Sequence, residues 1–108
     1  MTIKKAYVDG PYGQIHYVSG TSGIPLILLH QSPTSSVQYS EVMELLIDRG
    51  FRPIAVDTPG HGMSDPPDFE PSIKDYAQAI ISLLDALDIN SCHILGHHTG
   101  AQVATEVA

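Results

Sequence analysis

Three short apolar runs do most to limit what this chain can fold into: Pro25-Leu26-Ile27-Leu28-Leu29-His30, Pro53-Ile54-Ala55-Val56-Asp57 and Cys92-His93-Ile94-Leu95-Gly96. Such runs suit strands buried on both faces, the habit of parallel strands in α/β sheets. The segments between them have helical periodicity. Ser35 to Gln38 has the spacing of a capping box, and Gly50 stands where that helix would close. A second box, Ser72 to Asp75, opens a stripe of Ile73, Tyr76, Ala77, Ile80, Leu84 and Leu87 on one helix face. Residues Ala101 to Ala108 read as a third helix.

Ahead of the first run, Ala6 to Val8 and Gln14 to Val18 flank a Gly10-Pro11-Tyr12-Gly13 turn and predict an antiparallel hairpin. On its second strand Ile15 and Tyr17 share one face, and His16 and Val18 the other. The order is therefore a hairpin followed by strand–helix three times. Right-handed crossovers then place helices on both faces of a mostly parallel sheet, a three-layer α/β sandwich. The chain stops within its third helix, leaving one sheet edge without a neighbour, which complete domains avoid. The expectation is that residues 1–108 are the N-terminal part of a single domain.

Charge and cysteine content narrow the partners. Twelve acidic residues against 5 basic ones give a net charge of −7, which attracts neither nucleic acid nor an anionic membrane surface. The single cysteine, Cys92, excludes an intrachain disulfide and a cysteine-based metal site, and its apolar setting predicts an unreactive thiol. The N-terminal residues lack a signal peptide's apolar segment, and no run approaches the roughly 18 apolar residues of a membrane span, so a cytoplasmic location is expected. Nothing here bears on oligomeric state.

Gly96-His97-His98-Thr99-Gly100 lies where a buried strand turns into a helix. In that context G-x-nucleophile-x-G is the nucleophile elbow of α/β hydrolases. The glycines let strand and helix backbones come close, the central side chain is pushed out above the sheet, and the next N–H, that of Thr99, points at the same spot. Two further stretches carry the same resemblance. Leu28-Leu29-His30-Gln31-Ser32-Pro33 resembles the His-Gly-x-Pro segment after the third strand, and Asp57-Thr58-Pro59-Gly60-His61-Gly62-Met63-Ser64-Asp65 resembles Asp-x-Pro-Gly-x-Gly-x-Ser after the fourth. From Gly13 onward the chain resembles the front half of an α/β hydrolase, in the group that includes epoxide hydrolases, haloalkane dehalogenases and esterases.

The resemblance implies an enzyme acting on a small organic substrate, with the N–H groups of Ser32 and Thr99 as oxyanion donors and no cofactor or metal. In a longer form it implies a catalytic acid, a further histidine and a helical cap; the chain alone is expected to be inactive. Two positions depart from the pattern: His98 occupies the nucleophile position, and Gln31 replaces a glycine, either tolerated by the loop or binding substrate with its amide. An imidazole at the elbow has four open roles: covalent nucleophile, general acid/base, inert occupant of a binding protein, or metal ligand with His30 or His61. General acid/base is favoured, with a non-catalytic small-ligand binding protein as the alternative. Histidine tolerates positive φ better than most residues, so the turn does not forbid it. The side chain of Thr99 is expected to point away from the site. His16 is expected to be exposed, His93 a hydrogen-bonded core residue, His97 packed beneath the elbow, and His30 structural.

Overall fold

A computed structural model describes residues 3–108. Strands β1 (Lys4–Gly10) and β2 (Gly13–Ser19) form the expected hairpin, with Gly10 opposite Gly13 across the turn. The other edge of β2 pairs antiparallel with β4 (Phe51–Val56), and β4 pairs parallel with β3 (Ile24–Leu29). Strand β5 (His93–Gly96) lies parallel to β3 on its far side, completing the order β1-β2-β4-β3-β5. The three apolar runs are thus adjacent parallel strands.

Alternation along these strands builds two cores, one on each face. Ile27 and Leu29 of β3 and Ile54 and Val56 of β4 pack with Ile80 and Leu83 of α2 (Ile73–Ala86) and Val103 of α3 (Thr99–Val107). Leu26, Leu28 and Ala55 turn the other way, onto Tyr39 and onto Met43 of α1 (Met43–Asp48). The three layers follow directly from that period of two. Helix α2 opens with the expected box, in which Ser72 Oγ accepts from the Asp75 N–H and Asp75 accepts from the Ser72 N–H. The bond from the Ser72 N–H holds the half-buried Asp75 carboxyl below its ordinary pKa against the opposing effect of burial, with smaller help from the Ser72 and Tyr12 hydroxyls. No helix among the described residues is long and apolar enough to cross a membrane.

Several local expectations need correction. The box from Ser35 to Gln38 does not form: Ser35 Oγ instead accepts from the Val37 N–H at the head of a short 3-10 turn, Ser36–Tyr39. The Gln38 side chain turns away, because its oxygen accepts from the Gln31 N–H after β3. His16 is buried, since the turn at Ser36 and the segment after β4 cover its face of β2. His93 is exposed, as is Leu95: β5 is the last strand of the order, and only alternate residues such as Ile94 reach the core. His97 is exposed beside the elbow, not packed beneath it. Helix α3 begins at Thr99, two residues earlier than its periodicity suggests. Cys92 is half-buried, and burial raises its thiol pKa, in keeping with an unreactive sulfur.

Candidate active site

Strand order decides where a site can form. From β3 the chain passes to β4 on one side, whereas β5 joins β3 on the other, so the loops leaving β3 and β5 diverge. In open α/β sheets the crevice at such a switch point, at the carboxyl ends of the strands, is where ligands bind. Leu29, Val56 and Gly96 lie at one level in the sheet, so the segments that follow all three strands emerge at the same edge.

The elbow stands at this edge. His97 N–H still donates to Leu29 O (3.2 Å), and one residue later the backbone of His98 turns to φ 54°, ψ −116° before α3 begins. That conformation is sparsely populated for a residue with a Cβ, and it persists only because its surroundings fix it. The flanking glycines supply that constraint. A Cβ on Gly96 would collide with the backbone of Gly100, and one on Gly100 with the Leu29 carbonyl. Strand, elbow and helix therefore interlock through backbone alone, leaving His98 exposed at the turn with its ring edge-on to that of His97 at 4.7 Å. Gly100 N–H and Ala101 N–H return to His97 O and His98 O, which leaves the Thr99 N–H ahead of the helical ladder.

Gln38, which sequence patterning assigned to a cap, fastens the loop after β3. Its Oε1 accepts from the Gln31 N–H at 3.0 Å, and its Nε2 donates to His97 Nδ1 at 2.9 Å. One amide thus spans from the loop after β3 to the elbow after β5. It is the backbone of Gln31 that is engaged; Ser32 follows, exposed, at the candidate donor position.

A chain of hydrogen bonds runs from the buried His30 outward to Ser32. His30 Nδ1 faces the Gln31 carbonyl at 2.9 Å, so Nδ1 carries the proton. His30 Nε2 accepts from the Thr58 N–H at 3.2 Å, so Nε2 is bare and His30 is neutral. Burial, the main influence, lowers the His30 pKa in the same direction. Thr58 Oγ1 is also 3.2 Å from that bare nitrogen, so its hydroxyl proton points to His30; otherwise two lone pairs would face each other. The other side of Thr58 Oγ1 then accepts, from His61 Nδ1 at 3.0 Å. With its proton on Nδ1, neutral His61 presents a bare Nε2, 3.3 Å from Ser32 Oγ. The His61 ring is further held between those of His30 (5.1 Å) and Tyr76 (6.1 Å).

Both ring nitrogens of His30 and of His61 are engaged, and among the described residues no group of three His, Cys, Asp or Glu side chains is placed to hold a metal. Sequence reasoning quoted Thr58 only within a motif, named His61 otherwise only as a metal partner for His98, and gave neither a role in a proton chain. A groove of about 680 Å³ along β5, lined in part by Cys92, His93, Ala104 and Val107, includes neither elbow histidine.

A family model described as alpha/beta hydrolase fold matches residues 24–108, from β3 through the elbow to the end of α3. The chain belongs to this family. It is 36% identical over 98 residues to a haloalkane dehalogenase of Agrobacterium fabrum, covering 90% of this chain and 32% of that protein. A non-heme chloroperoxidase of Streptomyces lividans is 36% identical over 87 residues, 80% of this chain and 32% of the relative. The crystallised epoxide hydrolase from an endophytic Streptomyces superposes with a TM-score of 0.88 at 25% identity, covering 99% of this chain and 33% of that one. The chain thus spans about a third of the length of the α/β-hydrolase relatives it matches. Within that third lie the hairpin, the loop after β3, the segment after β4 and the elbow, and the last three follow strands that end at one level of the sheet.

Proposed function

We propose that this chain serves, as part of a full-length α/β hydrolase, in the hydrolysis of small, neutral-to-apolar organic compounds of the ester, epoxide or haloalkane kind, with His98 moving protons at the reacting carbon. The observation that carries the reading is the left-handed His98 locked between Gly96 and Gly100 at the strand–helix junction. A fold that holds a strained backbone there presents one side chain at the switch-point crevice, and that side chain is an imidazole, which exchanges protons near neutral pH. The relatives named as a dehalogenase, a chloroperoxidase and an epoxide hydrolase support the range of substrates.

In this reading neutral His98 takes a proton from the attacking water and, with an ester or epoxide, returns it to the departing oxygen; with a haloalkane the halide leaves as the anion and the proton passes from His98 to solvent. The N–H groups of Ser32 and Thr99 hold the charge that develops on the substrate oxygen, a contribution of about 3–4 kcal/mol per donor. Gln31, beside Ser32, contacts the substrate with its amide. The test is hydrolysis of a panel of small esters, epoxides and haloalkanes, comparing the protein with His98→Ala. Epoxide or haloalkane hydrolysis lost in a variant of unchanged circular dichroism supports the reading, and such hydrolysis retained overturns it. Binding without turnover in the parent protein favours instead a ligand-binding role for the same crevice.

A further inference from the structure

The proton chain that ends at Ser32 has no part in the role proposed for His98. In the arrangement that keeps lone pairs from facing one another, the Gln31 carbonyl orients His30, His30 orients the Thr58 hydroxyl, and that hydroxyl accepts from His61. At its outer end an exposed hydroxyl meets the lone pair of an imidazole whose other nitrogen is hydrogen-bonded to an orienting group. Hydroxyl, base and orienter in that sequence are the recognised geometry of an activated nucleophile.

We propose that Ser32 and His61 form a nucleophile–base pair that processes small activated carboxylic esters through an acyl group on Ser32. Ser32 Oγ attacks the acyl carbon while its proton passes to His61 Nε2. The bond from the acyl carbon to the alcohol oxygen breaks, and the departing oxygen takes the proton back from His61. Water then attacks the acyl carbon, giving one proton to His61, and the carboxylic acid leaves as that proton returns to Ser32. His61 in its imidazolium form keeps its Nδ1–H on Thr58 Oγ1 throughout. The Ser32 N–H serves the oxyanion of its own acyl group, with the Thr99 N–H at the same edge of the sheet. The assignment rests on the reading above for substrate class and for these donors, but it does not depend on His98.

A fluorophosphonate is the direct probe, because it modifies a hydroxyl only where a base removes the proton as fluoride departs. The protein is treated with an alkyl fluorophosphonate and the site is read by peptide mass mapping. An adduct on Ser32, absent in Ser32→Ala and formed about 10²–10⁴-fold more slowly in His61→Gln, is expected, the range being that of a positioned general base. The modification rate of the parent should depend on pH in a way that is lost in His61→Gln. An adduct elsewhere, no adduct, or one on Ser32 whose rate and pH profile are unchanged in His61→Gln overturns the proposal. Ser32 is exposed, so Ser32→Ala leaves the fold intact, and circular dichroism checks both variants. Because the adduct's position is read on the unsubstituted chain, its outcome is separate from the effect of His98→Ala on turnover.

Discussion

Asp57 Oδ2 and His16 Nδ1 meet at 2.9 Å beneath the turn at Ser36, joining the end of β4 to the middle of β2. The carboxylate also accepts from the Ser36 N–H (2.7 Å) and the Met63 N–H (3.0 Å), so it ties down the loops that follow β3 and β4. Ser64 reinforces the joint, its hydroxyl donating to Asp57 O (2.6 Å) and accepting from His16 N–H (2.8 Å). Asp57 thus shapes the rim of the site from below without facing a substrate. Removing the carboxylate leaves a buried imidazole and two backbone donors unpaired. Asp57→Ala should cost about 3–5 kcal/mol in urea unfolding, the range for breaking a buried pair from one side. A loss below about 1 kcal/mol would show that the pair contributes little.

Acid should weaken the fold in two ranges. For Asp57 burial pushes the pKa up, but bonds from Met63, Ser36 and His16 outweigh it and hold the carboxyl below its ordinary value. Its stabilisation is complete above the unfolded value near 4 and disappears as pH falls through the lower folded value, where the unfolded chain binds more protons. For His30 the lowered pKa has the same sign: stabilisation is complete above the unfolded value near 6.5 and is lost as pH falls toward the folded value. Urea midpoints measured from pH 8 to 3 should decline first below about 6.5 and again below about 4. His30→Gln should remove the first decline and leave the second.

The parallel strands were legible because each is a continuous apolar run, and the elbow because only glycine fits at Gly96 and Gly100. The capping box at Ser72 was legible for a local reason, since both of its partners lie within one helical turn. At Ser35 the same spacing misled, because a tertiary partner, the Gln31 N–H, competed for the Gln38 side chain and won. The burial of His16 depends on Asp57, 41 positions away, and the exposure of His93 on the place of β5 at the end of the strand order. Neither is encoded by neighbours in sequence. The chain from His30 through Thr58 and His61 to Ser32 joins two loops, and it exists only once β3 and β4 lie side by side.

The strain at His98 predicts a gain in stability when its side chain is removed. Its φ of 54° with ψ of −116° lies outside the comfortable regions for any residue with a Cβ, and such positions cost about 1–3 kcal/mol. His98→Gly should therefore raise the unfolding free energy by about 1 kcal/mol, allowing for the entropy that glycine adds to the unfolded chain. Gly96→Ala and Gly100→Ala should go the other way, by about 3 kcal/mol or more, because the atoms they would strike are backbone. Urea titration of the three variants checks both signs at once. A His98→Gly variant less stable than the parent would mean that the ring contact with His97 outweighs the strain.

Thr58 offers the sharpest test of how the proton chain is ordered. Thr58→Val keeps the shape of the side chain and the N–H that meets His30, but removes the acceptor that the His61 Nδ1 proton meets among the described residues. Leaving this half-buried donor without a partner costs up to about 1–3 kcal/mol, which favours moving the proton across the ring. The proton should therefore shift to Nε2, the nitrogen that faces Ser32. Nitrogen NMR of the imidazole reads this directly: His61 Nε2 should change from the bare to the protonated type of signal, while His30 keeps its own tautomer. With Nε2 protonated the lone pair offered to Ser32 is gone, so modification of Ser32 should slow at least roughly tenfold, equivalent to about 1.4 kcal/mol. If His61 keeps a bare Nε2 in this variant, Thr58 does not set the tautomer, and the ring is oriented by His30 and Tyr76 alone.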